Sequence, residues 1–339
     1  MSSTNAPAAD APIFVVGHPR SGTTLLRLML DAHPRIVIPP EGHLVSLLTR
    51  AERKYGDLRD ERNFTALVDR ILGKERMQEW RLDPEDARRR CLAGERSPAG
   101  VLAALMSIWL ERSGKPRWGE KTPGTYRFLP EVARWFPRSQ IVHIVRDGRD
   151  VAVSCLTPPF SDQYDKGNVY EVAARWRDAL RCGRRAAAAL GPARYHELRY
   201  EDLTADPESR LREICAFLRE DFEPVMLQYH READGKVSRG ERSFHQRTSG
   251  EVDRKRVERW RRDASEEFVA GFEGLAGREL ARHGYALSGY RPAPALAGRI
   301  LLERLRPRRP GKHYKGEARD GSQAAGARPE RGQPPPSTC

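Results

Sequence analysis

The segment Ile13–Thr24, IFVVGHPRSGTT, constrains the fold of this chain more than any other feature. Its first four residues are apolar and predict a buried strand, and a loop with a glycine at each end follows. Beyond Thr24 the apolar residues recur with the period of a helix. A strand, a glycine-bounded loop and a helix N-terminus bring backbone N–H groups and a positive dipole end together, which favours binding of a phosphate group.

The glycine spacing of this loop is that of the Walker pattern for nucleoside triphosphates. Gly17 and Gly22 bracket four residues and Thr24 stands at the hydroxyl position, but Thr23 occupies the position of the lysine. Arg20 supplies a cation earlier in the loop. The pattern therefore predicts a phosphate-binding loop that is poorly suited to ATP or GTP hydrolysis. An ordinary strand-to-helix turn is the alternative, although such a turn does not require the sequence Arg-Ser-Gly-Thr-Thr.

A second strand, turn and helix are predicted at Ile141–Ser154. Arg146 follows the apolar run Ile141–Val145, at the end of the strand where open parallel sheets bind ligands. Ser154 lies eight residues further on, in the following helix. A guanidinium and a hydroxyl are suited to hold a second phosphate, although Arg-Asp-Gly-Arg alone is also typical of an ion-paired surface turn.

The order of predicted elements indicates the fold class. Strands alternate with helices, which predicts an α/β protein with a three-layer P-loop-type fold and a mostly parallel central sheet flanked by helices. Further strands are predicted at Ile36–Ile38, near Trp118 and at Arg194–Leu198. Helices are predicted over much of the remainder, including about residues 43–115, Val169–Leu190 and Pro207–Leu218.

Composition narrows the function classes. The chain of 339 residues has 60 Lys and Arg against 47 Asp and Glu and a formal net charge of +13, which suits an anionic ligand. No zinc-finger spacing or aromatic-basic strand pattern supports nucleic-acid binding. Five widely spaced cysteines predict neither a disulfide framework nor a metal site. The N-terminal residues lack the pattern of a secretory signal and no apolar run reaches the length of a membrane span, which predicts a cytoplasmic protein.

With both loops in this order, the chain resembles the sulfotransferases that use 3′-phosphoadenylyl sulfate (PAPS). The resemblance rests on Pro19–Thr24, on Val145–Arg149 with Ser154, and on Leu198–Leu203. It covers roughly residues 12–286 and is closest to the branch of the tyrosylprotein sulfotransferases and many bacterial relatives.

The resemblance implies a domain organisation. One sulfotransferase domain is predicted over residues 12–290, and its helical region, about residues 43–115, shapes the acceptor pocket. A disordered N-terminus (1–11), a short amphipathic segment (291–306) and a basic, disordered tail rich in Pro and Gly (307–339) complete the prediction.

The resemblance also implies roles for individual residues. Glu41 is predicted to be the base that deprotonates a hydroxyl acceptor, and Lys121, with Arg20, to stabilise the leaving bisphosphate PAP. A carboxylate can serve as this base if partial burial raises its pKa and it lies within reach of the acceptor. We expect no metal to be needed. The residues predicted to bind PAPS are Arg20, Ser21, Gly22, Thr23, Thr24, Arg146, Ser154, Tyr200 and Arg259; Arg247–Ser249 fall in the same part of the pattern as Arg259.

Several alternatives stay open at this point. Without the resemblance, Glu41 is an ordinary loop or cap glutamate, Lys121 a solvated surface lysine and Tyr200 a core tyrosine, and His43 is the second candidate for the base. A P-loop kinase and a non-catalytic phosphate-binding protein are the competing functions. The acceptor is a hydroxyl compound of unidentified class, and a homodimer is left open. The basic tail could contact acidic lipid, although such tails more often only add solubility.

Overall fold

Five parallel strands form the central sheet in the computed structural model, which describes residues 11–158, 161, 168–235 and 254–305. The order across the sheet is β2-β3-β1-β4-β5, and every neighbouring pair is parallel. Because β1 lies between β3 and β4, the chain that leaves β1 has the ends of both neighbouring strands beside it. The strands are β1 (Ile13–Val16), β2 (Ile36–Val37), β3 (Arg117–Lys121), β4 (Gln140–Val145) and β5 (Tyr195–Arg199).

Side chains of β1 alternate between two apolar clusters on opposite faces of the sheet. Phe14 and Val16 pack with the helices of the region 44–135, whereas Ile13 and Val15 pack with the first helix and with helices after residue 199. All four residues are fully buried, as expected for the central strand of a parallel sheet covered on both sides. The predicted three-layer α/β fold with a parallel sheet is confirmed.

Helices connect the strands and cover the sheet. The helix after the glycine loop, the long helix from Val169 and the helix from Pro207 are observed where the sequence predicts them. The α-helices are α1 (Thr23–Asp31), α2 (Leu44–Tyr55), α3 (Glu61–Leu72), α4 (Glu75–Glu79), α5 (Pro84–Ala93), α6 (Pro98–Ser113), α7 (Leu129–Trp135), α8 (Gly148–Leu156), α9 (Val169–Leu190), α10 (Tyr200–Ala205), α11 (Pro207–Leu218), α12 (Trp260–Asp263), α13 (Glu266–Arg282) and α14 (Pro294–Leu305). Short 3-10 helices are Pro123–Phe128, Pro224–Gly235 and Arg254–Arg256.

The described residues form two compact units. The first is built from the described parts of Met1–Arg146 and Ala179–Val257 and contains the sheet. The second is built from those of Asp147–Asp178 and Glu258–Cys339, and Val153, Trp260 and Val269 form a small core within it. The prediction of one domain over residues 12–290 stays a prediction.

Some predicted features lie outside the described residues. These are residues 1–10 of the N-terminal segment, Arg247–Ser249, residue 306 of the amphipathic segment and the tail 307–339. In the described part of the chain, no helix has both the length and the apolar character needed to cross a membrane.

Candidate functional site

The loop between β1 and α1 has an unusual backbone. Gly22 stands at the N-terminus of α1 with φ 95°, a left-handed conformation that favours glycine. A side chain there would also collide with a neighbour, because a Cβ on Gly22 would lie 2.5 Å from the ring of Tyr200. Arg20 adopts a left-handed φ of 73° without being glycine. Such strained residues are frequent where a loop is shaped for a ligand.

Contacts from two other strand ends hold this loop. The Gly17 N–H donates to the carbonyl of Pro123, just beyond β3, at 3.3 Å. From the end of β4, Arg146 Nη1 donates to the carbonyl of Arg20 at 3.0 Å. The loop is therefore positioned by both strands that flank β1.

The loop offers donors suited to an anion. Helix α1 begins without a side-chain cap, and the N–H groups of a first helical turn have no partner within the helix. The hydroxyl of Ser21 is buried and has no hydrogen-bond partner among the described residues. Leaving a buried hydroxyl unpaired costs about 1–3 kcal/mol, which a bound acceptor oxygen would remove. With the dipole of α1, these groups fit a phosphate or sulfate oxygen.

A cluster of charged side chains lies beside the loop. Lys121 ends β3, and its Nζ lies 2.7 Å from Glu41 Oε2 and 3.4 Å from Thr24 Oγ1. His43 Nε2 lies 2.8 Å from Glu41 Oε1. The Lys121 side chain is fully buried, whereas those of Glu41 and His43 are 15% and 14% exposed. The sequence-predicted base, its alternative and the predicted lysine are therefore in direct contact.

Packing from α4 positions the segment that carries Glu41. Trp80, which follows α4, donates its indole N–H to the carbonyl of Pro40 at 3.0 Å. The same ring packs on Gly42, where an added Cβ would approach it to 2.7 Å. His43 then enters α2 with a left-handed φ of 54°. Close packing of Trp80 thus holds the Pro40–His43 segment, whose last residue has a strained backbone.

The pKa of Glu41 is lowered by its surroundings, although the carboxyl is largely buried. Burial raises the pKa of this carboxyl, but the charges of Lys121, His43 and Arg76 outweigh burial and hold the pKa well below its ordinary value. The condition that partial burial raises this pKa is therefore not met in the structure. Glu41 is ionised at neutral pH, which makes it able to accept a proton but a weak base while these cations surround it.

A second carboxyl, Glu120, lies behind the cluster and was not selected by sequence reasoning. Its side chain is buried, and the hydroxyls of Thr122 and Thr125 donate to its two oxygens, the latter at 3.4 Å. Burial raises the pKa of Glu120 to about 7, despite the hydrogen bond from Thr122. The Thr122 oxygen in turn accepts the His43 N–H at 3.3 Å.

Arg146 organises the opposite side of the loop. Its guanidinium lies 4.7 Å from the centre of the Tyr200 ring and also donates to the carbonyl of Arg256 at 2.7 Å. Tyr200, at the start of α10, is therefore packed between Gly22 and Arg146. Both sequence interpretations of Tyr200 describe part of this arrangement, because the ring is buried and also borders the loop.

The pattern that defines the sulfotransferase family matches residues 12–224. The chain belongs to the sulfotransferase family. An uncharacterised protein of Aquifex aeolicus is 28% identical over 267 residues, which are 74% of this chain and 30% of that protein. Protein-tyrosine sulfotransferase A of Caenorhabditis elegans is 25% identical over 278 residues, 80% of this chain and 67% of that enzyme. The chain thus spans between about a third and two thirds of the length of these curated relatives.

A solved structure supports the fold assignment. The sulfotransferase domain of the olefin synthase from Synechococcus PCC 7002 superimposes with a TM-score of 0.58 and 24% identity, covering 84% of this chain and 98% of that domain. The predicted sulfotransferase resemblance and the predicted fold are both confirmed.

In this member of the family, the remaining predicted residues lie in the second unit. Ser154 is buried on α8, and Arg259 pairs with Asp263 next to α12. Arg149 forms ion pairs with Asp147 at 2.7 Å and with Glu273 at 2.8 Å. Because Arg146 and Ser154 belong to different units, their shared phosphate site stays a prediction.

No group of three or more His, Cys, Asp or Glu side chains in the described ranges is arranged to hold a metal ion. The residues that sequence reasoning missed are Glu120, Thr122, Trp80 and Arg256. A charged residue inside β3, directly before the predicted lysine, is the one signal that could have drawn attention to Glu120.

Proposed function

We propose that this protein transfers a sulfuryl group from PAPS to a hydroxyl-bearing acceptor. The observation that carries the proposal is the position of Lys121, whose ammonium contacts the Glu41 carboxylate and the Thr24 hydroxyl at once. A cation that joins a candidate base to a phosphate loop suits a reaction in which proton removal accompanies departure of a phosphate. Membership of the sulfotransferase family supports the same reaction.

The loop binds the 5′-phosphosulfate. Backbone N–H groups at the start of α1 and the hydroxyls of Ser21, Thr23 and Thr24 donate to its oxygens, and Arg20 adds a positive charge. The fit rests on the uncapped N-terminus of α1 and on the buried hydroxyl of Ser21. Gly22 lets the loop turn toward the ligand over the ring of Tyr200.

The transfer itself is an in-line displacement at sulfur. A bond forms between the acceptor oxygen and sulfur, while the bond from sulfur to the bridging phosphate oxygen breaks and its electron pair stays with PAP. Glu41 takes the proton of the acceptor hydroxyl. Lys121, with Arg20, stabilises the negative charge that develops on the bridging oxygen.

The Lys121 ammonium contacts both Glu41 and Thr24, and its movement between them can offset the low pKa of Glu41 during the reaction. In the structure, Lys121 lies closer to Glu41 than to Thr24. Negative charge that grows on the bridging oxygen attracts the ammonium toward the loop and weakens its hold on Glu41. The proton affinity of the carboxylate therefore rises as the reaction needs it. His43 orients the other carboxylate oxygen and remains the alternative base.

The remaining predicted residues hold the nucleotide. Arg146 binds the 3′-phosphate in this proposal, and Tyr200 borders the loop. Ser154 and Arg259 stay sequence-based predictions for nucleotide binding. The acceptor enters through the helical region of about residues 43–115, and the nematode relative makes a tyrosyl peptide the first acceptor to test.

Calorimetry followed by a transfer assay tests the proposal. We expect PAP to bind in the presence of EDTA and ATP to bind far more weakly. Purified protein is then incubated with PAPS labelled at sulfur and with a tyrosyl peptide, a sugar or an aliphatic alcohol. Preference for ATP with magnesium would indicate a kinase, whereas PAP binding without transfer to any acceptor class would indicate a non-catalytic binding protein.

A further inference from the structure

The turn after β3 contacts both halves of the site. Its first residue beyond the strand is Thr122, whose hydroxyl oxygen accepts the His43 N–H at 3.3 Å. The next residue is Pro123, whose carbonyl accepts the Gly17 N–H at 3.3 Å. A shift of this turn therefore moves the segment that carries Glu41 and the start of the phosphate loop together.

One buried carboxyl holds that turn in place. Glu120 is only 3% exposed, and both of its oxygens accept hydroxyl hydrogen bonds from the turn that follows it. The two donors, Thr122 and Thr125, are themselves buried. The Thr125 N–H also donates to the Thr122 carbonyl at 3.0 Å, which closes a compact unit around the carboxyl.

We propose that Glu120 is a positioning residue for this site: through the Thr122 hydroxyl, its carboxyl fixes the backbone of His43 and, with it, the contact between His43 and Glu41. The inference deepens the proposed sulfuryl transfer and rests on it. Glu120 itself is separated from the reacting groups by Thr122 and has no direct role in proton transfer.

The backbone of His43 needs this support from Thr122. Its backbone has a left-handed φ of 54°, a conformation that is costly for a residue with a side chain unless the surroundings enforce it. Its imidazole contacts Glu41 at 2.8 Å. A hydrogen bond from the His43 N–H to a fixed Thr122 oxygen stabilises the strained backbone and so sets where the imidazole and the carboxylate meet.

Ionisation of Glu120 should affect this arrangement near neutral pH. Burial raises the pKa of Glu120 to about 7, and the charged or titratable groups that face it are Glu41, His43 and Lys121. The ionised carboxylate accepts both threonine hydroxyls, whereas the protonated form turns one acceptor oxygen into a donor. We therefore expect kcat to rise with pH through about 7.

Glu120→Gln tests the inference because glutamine keeps the shape but offers one acceptor and one donor. We expect kcat to fall about 10- to 100-fold, the affinity for PAP to change little, and the inflection near pH 7 to disappear. The inflection should persist in His43→Gln, at a lower overall rate. Glu220→Gln is the matched control: it alters a buried carboxylate paired with the other end of β3 and should leave the inflection unchanged.

Two variants of Thr122 test the inference even if Glu120→Gln folds poorly. Thr122→Val removes the hydroxyl and should reproduce the loss of kcat, whereas Thr122→Ser keeps it and should restore most of the activity. Equal losses in the valine and serine variants, or a Glu120→Gln enzyme with wild-type kcat and pH profile, would overturn the inference.

A measurement without turnover separates this inference from the proposed function. Selective ¹⁵N-histidine labelling allows hydrogen exchange of the His43 N–H to be followed by NMR. Faster exchange in Glu120→Gln and Thr122→Val, but not in Glu220→Gln, supports positioning even if no acceptor is found. Unchanged exchange in both variants would refute it even in an active sulfotransferase.

Discussion

Strand β3 carries a buried cation at each end, and the two ends differ in what surrounds the charge. At the amino end, Arg117 Nη1 lies 3.3 Å from Glu220 Oε1. At the carboxyl end, Lys121 Nζ lies 2.7 Å from Glu41 Oε2. Neither cationic side chain is exposed to solvent. Burial of a charge therefore does not by itself distinguish a functional site from a structural one.

At the amino end of β3, Arg117 has several hydrogen-bond acceptors besides its ion-pair partner. Beyond Glu220, Arg117 donates to the carbonyls of Ala11 and Leu218 at 3.0 and 2.7 Å and to Gln140 Oε1 at 2.6 Å. The Glu220 side chain is 2% exposed. These contacts tie together segments that are far apart in sequence, and both charged side chains are buried, which indicates a structural role.

At the carboxyl end of β3, the charged cluster is more exposed to solvent and the nearby backbone is more strained. Glu41 retains 15% exposure, and two nearby residues, Arg20 and His43, have left-handed backbone without being glycine. Its cation is a compact ammonium that can move between two partners, rather than a guanidinium fixed by several acceptors. Solvent access, backbone strain and a movable charge together distinguish this end as the candidate active site.

The largest effect should come from the carboxylate of the candidate active site. Glu41→Gln should lower kcat by about 10²- to 10⁴-fold, because the acceptor proton loses its base, while PAP still binds. Single-turnover transfer from labelled PAPS measures this directly. His43→Gln is the comparison, and it should cost less; a larger loss for His43→Gln would make His43 the base.

At the structural end the corresponding effect is on folding. Arg117→Met leaves Glu220 buried with one cation fewer, and we expect the free energy of unfolding to drop by about 3–5 kcal/mol. Urea denaturation measures the change, and kcat per folded molecule should stay near wild type. The double variant Arg117→Met/Glu220→Leu should regain stability, since it removes both charges. A selective loss of kcat in Arg117→Met would erase the distinction between the two ends.

Lys121→Met should lower kcat by about 10²- to 10³-fold, the usual cost of removing one stabilising group from a developing negative charge. Stability should fall less than in Arg117→Met, since Glu41 is partly exposed and keeps its contact with His43. The assay is the same single-turnover transfer, with urea denaturation as the control. A variant that unfolds as readily as Arg117→Met but keeps its kcat would show that Lys121 is structural.

Local pattern predicts most of the fold. The apolar run Ile13–Val16 and the alternation of strands with helices are visible along the chain, and the parallel sheet follows from them. Gly22 is also predictable, because a loop that turns into a helix at a phosphate site favours residues with positive φ. The short helix α10 was not predicted, since Tyr200–Ala205 gives too few residues for a helical period to appear.

The candidate active site is predictable only in part, because its contacts join distant segments. Lys121 and Glu41 are 80 residues apart, and only the resemblance to sulfotransferases suggested that they act together. The direction of the Glu41 pKa shift depends on Lys121, His43 and Arg76, whose distances from Glu41 no local pattern encodes. The burial of Glu120 was not predicted, because it results from the placement of β3 beside β1, which no single segment determines.

The smallest expected effect is the pH dependence of the free energy of unfolding. It is compared for variants of Glu120 and Glu220, the buried carboxyls near the two ends of β3. Burial raises the pKa of Glu120 from about 4.5 to about 7. Between these values the unfolded chain has released a proton that the folded protein keeps, so the free energy of unfolding falls as the pH rises. The contribution is at most about 1.4 kcal/mol per pH unit.

Urea denaturation at several pH values between 5 and 7 measures this slope. Glu120→Gln should flatten the slope and gain most in relative stability at pH 7, whereas Glu220→Gln should leave the contribution of Glu120 to the slope in place. The same slope in wild type and Glu120→Gln would mean that Glu120 is already ionised at pH 5. The carboxyl behind the candidate active site would then act as a fixed charge over this pH range.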